Sequence, residues 1–247
     1  AAATLDMLGS TGVTSITNQA STNTLTVSNI TGDVALTLSS TDQGGTFNFD
    51  TAGALAAQTV NVSSVTGGTL TVGTTGAVTL NSQGAANTVT LSSSATSLKV
   101  TGAENLTLAG TTTQTTVDAS GATGAFAMTS DGTKAVSITG SAGADTITMT
   151  GSNALTDTIS LGAGADKVTF TANLADADIV DGGDGTDTVV GTSANLAALT
   201  SAATTSNLTN FEVVQVSNQS GADLDVSNIQ EDGITTVNLA HSGGNLA

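Results

Sequence analysis

The sequence of 247 residues contains no cysteine, no proline, no tryptophan and no tyrosine, and its only aromatic residues are five phenylalanines. Without cysteine the chain has no disulfide framework, no zinc–thiolate site and no thiol nucleophile. With so few aromatic side chains, a wide β-sandwich would lack its usual bulky filling. A thin core of valine, leucine, isoleucine and alanine is therefore predicted.

Basic residues are also scarce, because three lysines and no arginine stand against 20 acidic residues, and the formal net charge is −17. Nucleic-acid binding needs basic patches and aromatic stacking platforms, which this composition does not provide. The single histidine, His241, excludes a two-histidine metal site and disfavours a Ser-His-Asp triad. The shortage of basic residues also disfavours an enzyme that acts through carboxylates on an acidic polysaccharide. We therefore predict no enzymatic activity and no nucleic-acid partner.

Long apolar runs are absent too, since none approaches the roughly 18 residues of a membrane span. No membrane span is predicted. The N-terminus, Ala-Ala-Ala-Thr-Leu-Asp, has no initiator methionine, no basic segment and no apolar segment of the signal-peptide type. We expect the sequence to be a piece of a longer protein.

The sequence is rich in short segments in which Val, Leu or Ile alternates with Thr, Ser or Asn. Such alternation gives a β-strand one apolar and one hydroxylated face. The segment centres mostly recur every 8 to 13 residues, which is typical of a sandwich or a solenoid. Because a thin core favours the solenoid, we predict an all-β parallel β-solenoid, with only weak helical periodicity at 195–201. The predicted strands outside the repeats described next are 24–27, 35–38, 59–62, 69–72, 77–80, 88–91, 98–100, 105–108 and 135–138.

One glycine–aspartate pattern occurs three times, at 140–145, 161–166 and 182–187, with the aspartates 21 residues apart. An aliphatic residue follows two positions after each aspartate, as in the nonapeptide repeat of calcium-binding parallel β-helices. Glycine permits tight turns and leaves backbone carbonyls bare, and aspartate supplies a hard oxygen ligand for calcium. The predicted calcium (Ca2+) ligands from these segments are Gly140, Ala142, Gly143, Asp145, Gly162, Gly164, Asp166, Gly182, Asp184, Gly185 and Asp187.

A second pair of aspartates, Asp157 and Asp178, lies between those of the first series, so that the five aspartates are separated by steps of 12, 9, 12 and 9 residues. These steps predict a β-roll with two short strands and two turns in each 21-residue circuit. Asp145, Asp166 and Asp187 then form one column, with calcium between successive turns. Asp157 and Asp178 lie on the opposite edge without a glycine pattern, and we expect a weaker calcium site or only water there. The strands of this block are predicted at 146–149, 158–161, 167–170, 179–180 and 188–190.

Eight of the 20 acidic residues lie within the 43 residues from Asp145 to Asp187. Without counter-ions these carboxylates repel one another and oppose folding, so a bound divalent cation is the better interpretation of this window. For the scattered acidic residues elsewhere, an acidic surface that keeps the protein soluble is the better interpretation. Candidates for calcium bridges between neighbouring copies of the protein are Asp33, Asp42, Asp223 and Asp232.

With its glycine–aspartate nonapeptides, Thr-rich strands and acidity, and with the phrases TGAENLTL at 101–108 and NFEVVQV at 210–216, the chain resembles the RTX-type surface-layer proteins of Gram-negative bacteria. The resemblance covers most of the chain in style but only 140–190 in motif. It implies type I secretion, calcium-triggered folding outside the cell and assembly with copies of itself into a two-dimensional coat (S-layer) on the bacterial surface. It also implies a cell-surface polysaccharide as a partner of another region of the protein. Ser141 and Leu161 stand where the motif has glycine, and the circuit has 21 residues where two nonapeptides give about 18.

The predicted organisation is a Thr/Ser-rich β-solenoid region at 1–139, an RTX-like calcium-binding β-roll at 140–190 and a continuing β-strand region at 191–247. Nonapeptides of this kind also occur in secreted enzymes and adhesins, so two functions stay open. The first is a structural surface-layer protein, and the second is the calcium-folded RTX module of a type I-secreted adhesin or enzyme. The second predicts a chemically richer domain beside the repeats. Residues 1–139 contain only strands, which favours the first.

Overall fold

The computed structural model describes residues 2–19, 23–30, 34–39, 46–51, 57–73, 76–150, 155–171, 174, 177–196, 208–217 and 233–239. Within these ranges the chain forms β-strands joined by turns and contains no helix. The strands are β1 (Ala3–Asp6), β2 (Ser15–Gln19), β3 (Leu25–Ile30), β4 (Ala35–Ser39), β5 (Thr46–Thr51), β6 (Ala57–Ser63), β7 (Thr66–Val72), β8 (Ala77–Gln83), β9 (Asn87–Ser93), β10 (Ser97–Gly102), β11 (Leu106–Thr112), β12 (Thr116–Ala122), β13 (Phe126–Ser130), β14 (Ser137–Thr139), β15 (Thr146–Met149), β16 (Thr158–Ser160), β17 (Ala163–Gly164), β18 (Lys167–Phe170), β19 (Ile179–Asp181), β20 (Asp184–Gly185), β21 (Thr188–Gly191), β22 (Leu208–Thr209), β23 (Val213–Val216) and β24 (Thr236–Leu239).

Successive strands alternate between two parallel sheets. The first sheet has 12 strands in the order β1-β3-β5-β7-β9-β11-β13-β15-β18-β21-β23-β24, and the second has 10 strands in the order β2-β4-β6-β8-β10-β12-β14-β16-β19-β22. Two neighbouring parallel strands need a connection that leads from the end of the first strand back to the start of the second. Here the crossing is made by a strand of the opposite sheet, so each circuit of the chain adds one rung to both sheets. The fold is the predicted all-β parallel β-solenoid.

The core lies between the two sheets and is built from alternate residues of each strand. In β8, for example, Val78 and Leu80 are buried while Thr79 and Asn81 are only partly covered. Equivalent core residues of neighbouring coils stack in register, as the aliphatic residues at 147, 168 and 189 do. Each large apolar side chain that is buried in this way stabilises the fold by about 1.5–3 kcal/mol relative to exposure. The three phenylalanines with fully buried side chains are Phe49, Phe126 and Phe211.

Every strand predicted from the sequence overlaps an observed strand, including the five predicted for the glycine–aspartate block. Strands such as β12 and β13 were not predicted, because Asp, Ser, Gly and Ala interrupt their apolar alternation. The weak helical pattern at 195–201 is not borne out where it can be judged, since 193–196 forms a turn and 197–201 lies outside the described residues. The described part of the chain contains no helix that is long and apolar enough to cross a membrane.

The three predicted regions contribute to the same two sheets. Strand β13 pairs with β15 and β14 pairs with β16, which joins the first region to the glycine–aspartate block. Strand β21 pairs with β23, which joins the block to the region after it. Within the block, partners in the first sheet are 21 residues apart, as Thr146, Lys167 and Thr188 show. This register places the three repeated aspartates directly above one another.

Candidate metal centre

The repeated aspartates form a hydrogen-bonded column at one corner of the solenoid. The backbone N–H of Asp145 donates to Asp166 Oδ1 at 2.7 Å, and the N–H of Asp166 donates to Asp187 Oδ1 at 2.7 Å. The column continues in both directions, because the N–H of Phe126 donates to Asp145 Oδ1 at 2.7 Å and that of Asp187 donates to Glu212 Oε2 at 2.8 Å. A buried backbone N–H needs a partner. Each carboxylate accepts such an N–H from the coil before it. We call Asp145, Asp166, Asp187 and Glu212 the aspartate column.

The three aspartates of the column are almost completely buried, with exposed fractions of 1%, 1% and 0% for Asp145, Asp166 and Asp187. Burial in a medium of low polarity disfavours a charged carboxylate. Burial therefore raises the pKa of Asp145 and of Asp187 above the ordinary value. Burial, with smaller effects from the two neighbouring carboxylates, raises the pKa of Asp166 to about 6. Stacked anions in a buried column are stable only if something compensates their charge.

The second carboxylate oxygen, Oδ2, has different surroundings in the three coils of Asp145, Asp166 and Asp187. In the first coil, Asp145 Oδ2 accepts the N–H of Ser141 at 2.6 Å, and Asp145 Oδ1 accepts the Ser141 hydroxyl at 2.5 Å. Six buried side-chain atoms of the described residues have no hydrogen-bond partner, and Asp166 Oδ2 and Asp187 Oδ2 are the two that belong to carboxylates. A buried acceptor without a partner costs about 1–3 kcal/mol, and more if it is charged. A proton, a bound water molecule or a cation would satisfy these two oxygens.

An asparagine in an earlier coil shows what satisfies this corner without a cation. Asn87 Oδ1 accepts the N–H of Val65 at 2.7 Å, as the aspartates do for the coil before them. The Asn87 amide nitrogen then donates to Ser82 Oγ, Gln83 O and Ala85 O at 2.8, 3.0 and 2.8 Å. At Asn87 the corner thus presents several oxygens of the turn to an uncharged hydrogen-bond donor.

The register places Asn87 in the same column as the aspartates, three coils before the first of them. In the coils of Asp166 and Asp187, an acceptor oxygen takes the place of the amide donor. The comparison within one chain therefore shows that these two coils lack the hydrogen-bond donor that Asn87 supplies in its own coil.

The glycines of the motif let the backbone of the neighbouring coil pack closely against the column. A Cβ on Gly164 would lie 2.7 Å from the carbonyl oxygen of Gly143 and 2.8 Å from Asp166 Oδ1. A Cβ on Gly185 would lie 1.5 Å from the carbonyl oxygen of Gly164 and 3.4 Å from Asp187 Oδ1. The carbonyl oxygen of the preceding coil thus occupies the place that a Cβ would need, close to the carboxylate of the same turn. Calcium takes six to eight oxygen ligands at about 2.3–2.6 Å, and these carbonyl and carboxylate oxygens are ligands of that kind.

The other motif glycines allow the loops themselves to approach one another. A Cβ on Gly140 would lie 2.0 Å from the carbonyl oxygen of Leu161, and one on Gly182 would lie 2.0 Å from that of Asn210. Gly162 has a φ of +101°, in the left-handed region that favours glycine. The loops pair as a small parallel sheet of β17 and β20.

The expectation that the loop carbonyls are bare is wrong for two of them. The N–H of Asp184 donates to Gly162 O at 2.8 Å, and the N–H of Ala163 donates to Ser141 O at 3.4 Å. The physical reason is that successive loops stack closely enough to form the small sheet. Because a carbonyl oxygen has two lone pairs, such a bond still leaves one for a cation.

Two further predicted ligands lie at the periphery of the site. Ala142 is exposed, and its N–H donates to Ala122 O at 3.1 Å. The side chain of Asp184 is also exposed on β20, although its charge contributes to the raised pKa of Asp187. The structure thus brings Asp166 and Asp187 together with glycine carbonyls and leaves Asp184 facing outward.

The opposite corner repeats the hydrogen-bond pattern with Asp157 and Asp178. The N–H of Val136 donates to Asp157 Oδ1 at 2.9 Å, and the N–H of Asp157 donates to Asp178 Oδ1 at 2.8 Å. Burial raises the pKa of Asp157, with a smaller contribution from the charge of Asp178. Neither residue supplies one of the buried carboxylate oxygens without a partner. A weaker calcium site or bound water at this corner stays a prediction.

Side chains alone do not complete a metal site anywhere in the described part of the chain, where no group of three or more His, Cys, Asp or Glu residues is placed to hold an ion. A cation at the aspartate column would therefore need backbone carbonyl ligands as well. His241 and the bridging candidates Asp33, Asp42, Asp223 and Asp232 lie outside the described residues.

The sequence pattern did not identify Asn87 as a member of the column, and it gave no role to Ser141 beyond the loss of a motif glycine. The only signal for Asn87 is that it stands directly before an alternating strand, as the aspartates do. Comparisons with protein-family models, with curated proteins and with solved structures found no match for this chain.

Proposed function

We propose that this chain is part of a structural surface-layer protein, which folds on binding calcium outside the cell and assembles with copies of itself into a two-dimensional coat. The observation that carries the calcium step is the pair of buried carboxylate oxygens without a partner at Asp166 and Asp187, in turns where glycine lets the carbonyl oxygens of the neighbouring coil approach the column. Calcium compensates the charge of the column and joins oxygens of successive coils. Its role is structural, because it ties one coil to the next.

Calcium at this corner also supports the proposed location. Extracellular calcium modules bind at about 0.1–1 mM, whereas cytosolic calcium is far lower. The chain then stays unfolded in the block during export and folds after it. Because the ligands come together only in the folded solenoid, metal binding contributes folding free energy directly.

Shape and composition support the proposed assembly into a coat. A solenoid presents long flat sheet faces, and here the strands of both sheets are rich in threonine and serine and poor in charge. Such faces offer many weak contacts to a neighbouring copy. Repetition of one contact by translation gives an open array.

The second candidate is the calcium-folded module of a type I-secreted adhesin or enzyme, which the glycine–aspartate block favours equally. Electron microscopy of the purified intact protein with calcium and with a chelator distinguishes the two. The coat protein forms ordered sheets with calcium that disperse on chelation. Dispersed monomers at high protein concentration and saturating calcium support the module and contradict the coat.

A further inference from the structure

The middle of the first sheet carries no charge. Strands β7, β9, β11, β13 and β15 contain no Asp, Glu, Lys or Arg, although the whole chain has a net charge of −17. In the second sheet, Lys99, Asp118 and Asp181 lie in one outward column of neighbouring strands. The two broad faces of the solenoid therefore differ in electrostatic character along their middle.

Threonines line the uncharged face in register. Thr107 pairs with Thr88 on one side and Ala127 on the other, and Ala127 pairs with Thr146. A second column runs through Thr111, Thr129 and Thr148. Neighbouring strands in a sheet are about 4.8 Å apart and alternate residues of one strand about 6.6 Å, so the hydroxyls form a regular grid. We call Thr88, Thr90, Thr107, Thr129, Thr146 and Thr148 the hydroxyl face.

The hydroxyls of this face have no partners within the described part of the molecule. No side-chain hydrogen bond to another described residue is made by Thr88, Thr90, Thr129, Thr146 or Thr148. All five are half-buried by their neighbours along the sheet. Their hydrogen-bonding capacity is therefore directed outward.

The second sheet uses comparable groups internally. Asn81 Nδ2 donates to Asn61 Oδ1 at 2.9 Å, Asn61 Nδ2 donates to Thr37 Oγ1 at 3.3 Å, and Thr101 Oγ1 donates to Asn81 Oδ1 at 3.4 Å. This ladder satisfies its own members along the sheet. No such ladder joins the threonines of the hydroxyl face among the described residues.

Charge decides which surface two copies can share. Two molecules of the same strong negative charge repel each other, and the repulsion is smallest where neither face carries charged groups. The five uncharged strands cover roughly 500 Å² at the spacings of a β-sheet, below the ~800 Å² per partner of a standard stable interface. A contact of this size is weak by itself and suits a reversible array.

From these observations we infer that the hydroxyl face docks against a second copy of this chain in the assembled coat. The inference rests on the proposed function and adds the surface through which assembly occurs. Threonine grids of two copies interdigitate and exchange hydrogen bonds that each lacks alone.

The test places like charges on the face of the intact protein. The double variant Thr90→Glu with Thr148→Glu puts carboxylates on two non-adjacent strands of the hydroxyl face. The matched control, Thr79→Glu with Thr139→Glu, makes the same change at half-buried threonines of the second sheet. We expect the face variant to need at least about tenfold more protein for array formation in saturating calcium, since like charges that meet across an interface repel each other. The control should assemble within about twofold of the parent.

A second measurement does not depend on the charged variant. Because the chain has no cysteine, Thr129→Cys introduces a single thiol on the hydroxyl face, and Thr139→Cys introduces one on the second sheet as the control. Maleimide labelling of the first thiol should slow about tenfold on assembly, while that of the control should not change.

Three results overturn the inference. If the Glu variant assembles as the parent does, or if the control thiol is protected and the thiol at position 129 is not, copies meet through another surface and the coat itself stands. If the unmodified protein forms no array in calcium, the proposed function and this inference both fail.

Discussion

At the scale of single residues, Asp166 has two tasks that can be tested together. It accepts the N–H of Asp145, and its second oxygen is buried without a partner and is the proposed calcium ligand. We predict that Asp166→Ala raises the calcium concentration at the folding midpoint at least about tenfold, since the variant loses a ligand and orphans a backbone donor. Circular dichroism during calcium titration measures the midpoint. Asp131→Ala is the control, because that carboxylate only closes a local turn with Thr133, and equal midpoints for both variants contradict the stacked site.

The comparison with Asn87 gives a sharper prediction for the same column. The double variant Asp166→Asn with Asp187→Asn should fold in chelator, because each new amide nitrogen can donate to turn oxygens as that of Asn87 does. Asp145→Asn should instead destabilise the calcium-bound protein by about 1–3 kcal/mol, since its amide then meets the donors of Ser141. Urea unfolding in chelator and in calcium checks both. A double variant that still needs calcium shows that removing the negative charge is not sufficient and that the cation has a further role.

The raised pKa values predict how calcium-free protein responds to pH. The pKa of Asp166 is about 6 in the folded state against 3.8 ordinarily, so the folded state binds more protons between these values. Stability is then fully present below the ordinary pKa and is lost as pH rises through about 6. Asp145 and Asp187 shift in the same direction.

We therefore expect protein in chelator to be more stable near pH 5 than near pH 8, as measured by urea unfolding in the range where carboxylates titrate. The half-buried Asp118, whose pKa is lowered by its hydrogen bonds from Ser120, acts in the opposite direction but only at more acidic pH. The double asparagine variant is the control and should lose most of this dependence. Stability that rises from pH 5 to pH 8 contradicts the assignment of buried, uncompensated carboxylates.

At the scale of elements, we predict that Gly→Ala substitutions destabilise the protein more in the glycine loops than at other positions with a positive φ. Gly183 has a φ of +92°, and a Cβ there would lie 2.0 Å from the carbonyl oxygen of Gly162. Gly110 has a similar φ of +79°, but the nearest atom to its Cβ would be 3.9 Å away. Gly183→Ala should therefore cost about 1–3 kcal/mol more than Gly110→Ala, by urea unfolding in saturating calcium. Equal losses contradict the close stacking of the loops.

The strands and the column show how far the sequence could be read. Alternation of apolar and hydroxylated residues predicted the two-sheet solenoid, because the side-chain period of a strand is two and each strand has one face in the core. The constant 21-residue step predicted the register of Asp145, Asp166 and Asp187, which the strand pairs confirm. A constant spacing of this kind can be recognised in a sequence only where successive turns have the same length.

The hydrogen bonds that extend the column beyond the three aspartates could not be predicted, because the number of residues between their partners varies. It is 19 residues from Phe126 to Asp145 and 25 from Asp187 to Glu212, so longer or shorter turns hide the repeat. Nor does the pattern reveal that one oxygen of each aspartate serves the backbone of the preceding coil. That role follows from burial at a corner, where the ladder of strand hydrogen bonds is interrupted and a donor needs another acceptor.

At the scale of the whole molecule, the proposed calcium site divides the solenoid into coils with an uncharged corner and coils that would depend on a cation. In the coils before the glycine–aspartate block, the position equivalent to the aspartates holds Asn87, Leu106 and Phe126 in turn, none of which carries a charge. In the coils of Asp166 and Asp187 it holds a buried carboxylate. Because each coil contacts mainly its neighbours, stability in such a fold is close to a sum of local terms. Loss of calcium should therefore unfold one block and leave the coils before it intact.

Hydrogen exchange followed by mass spectrometry tests this central claim most directly, because it reports protection segment by segment. The protein is compared at neutral pH in chelator and in millimolar calcium. We predict that the amides of β15, β16, β18, β19 and β21 exchange rapidly in chelator and become protected in calcium, while those of β8 to β11 are protected in both. Protection of the glycine–aspartate block that is equal in chelator and in calcium would contradict the account.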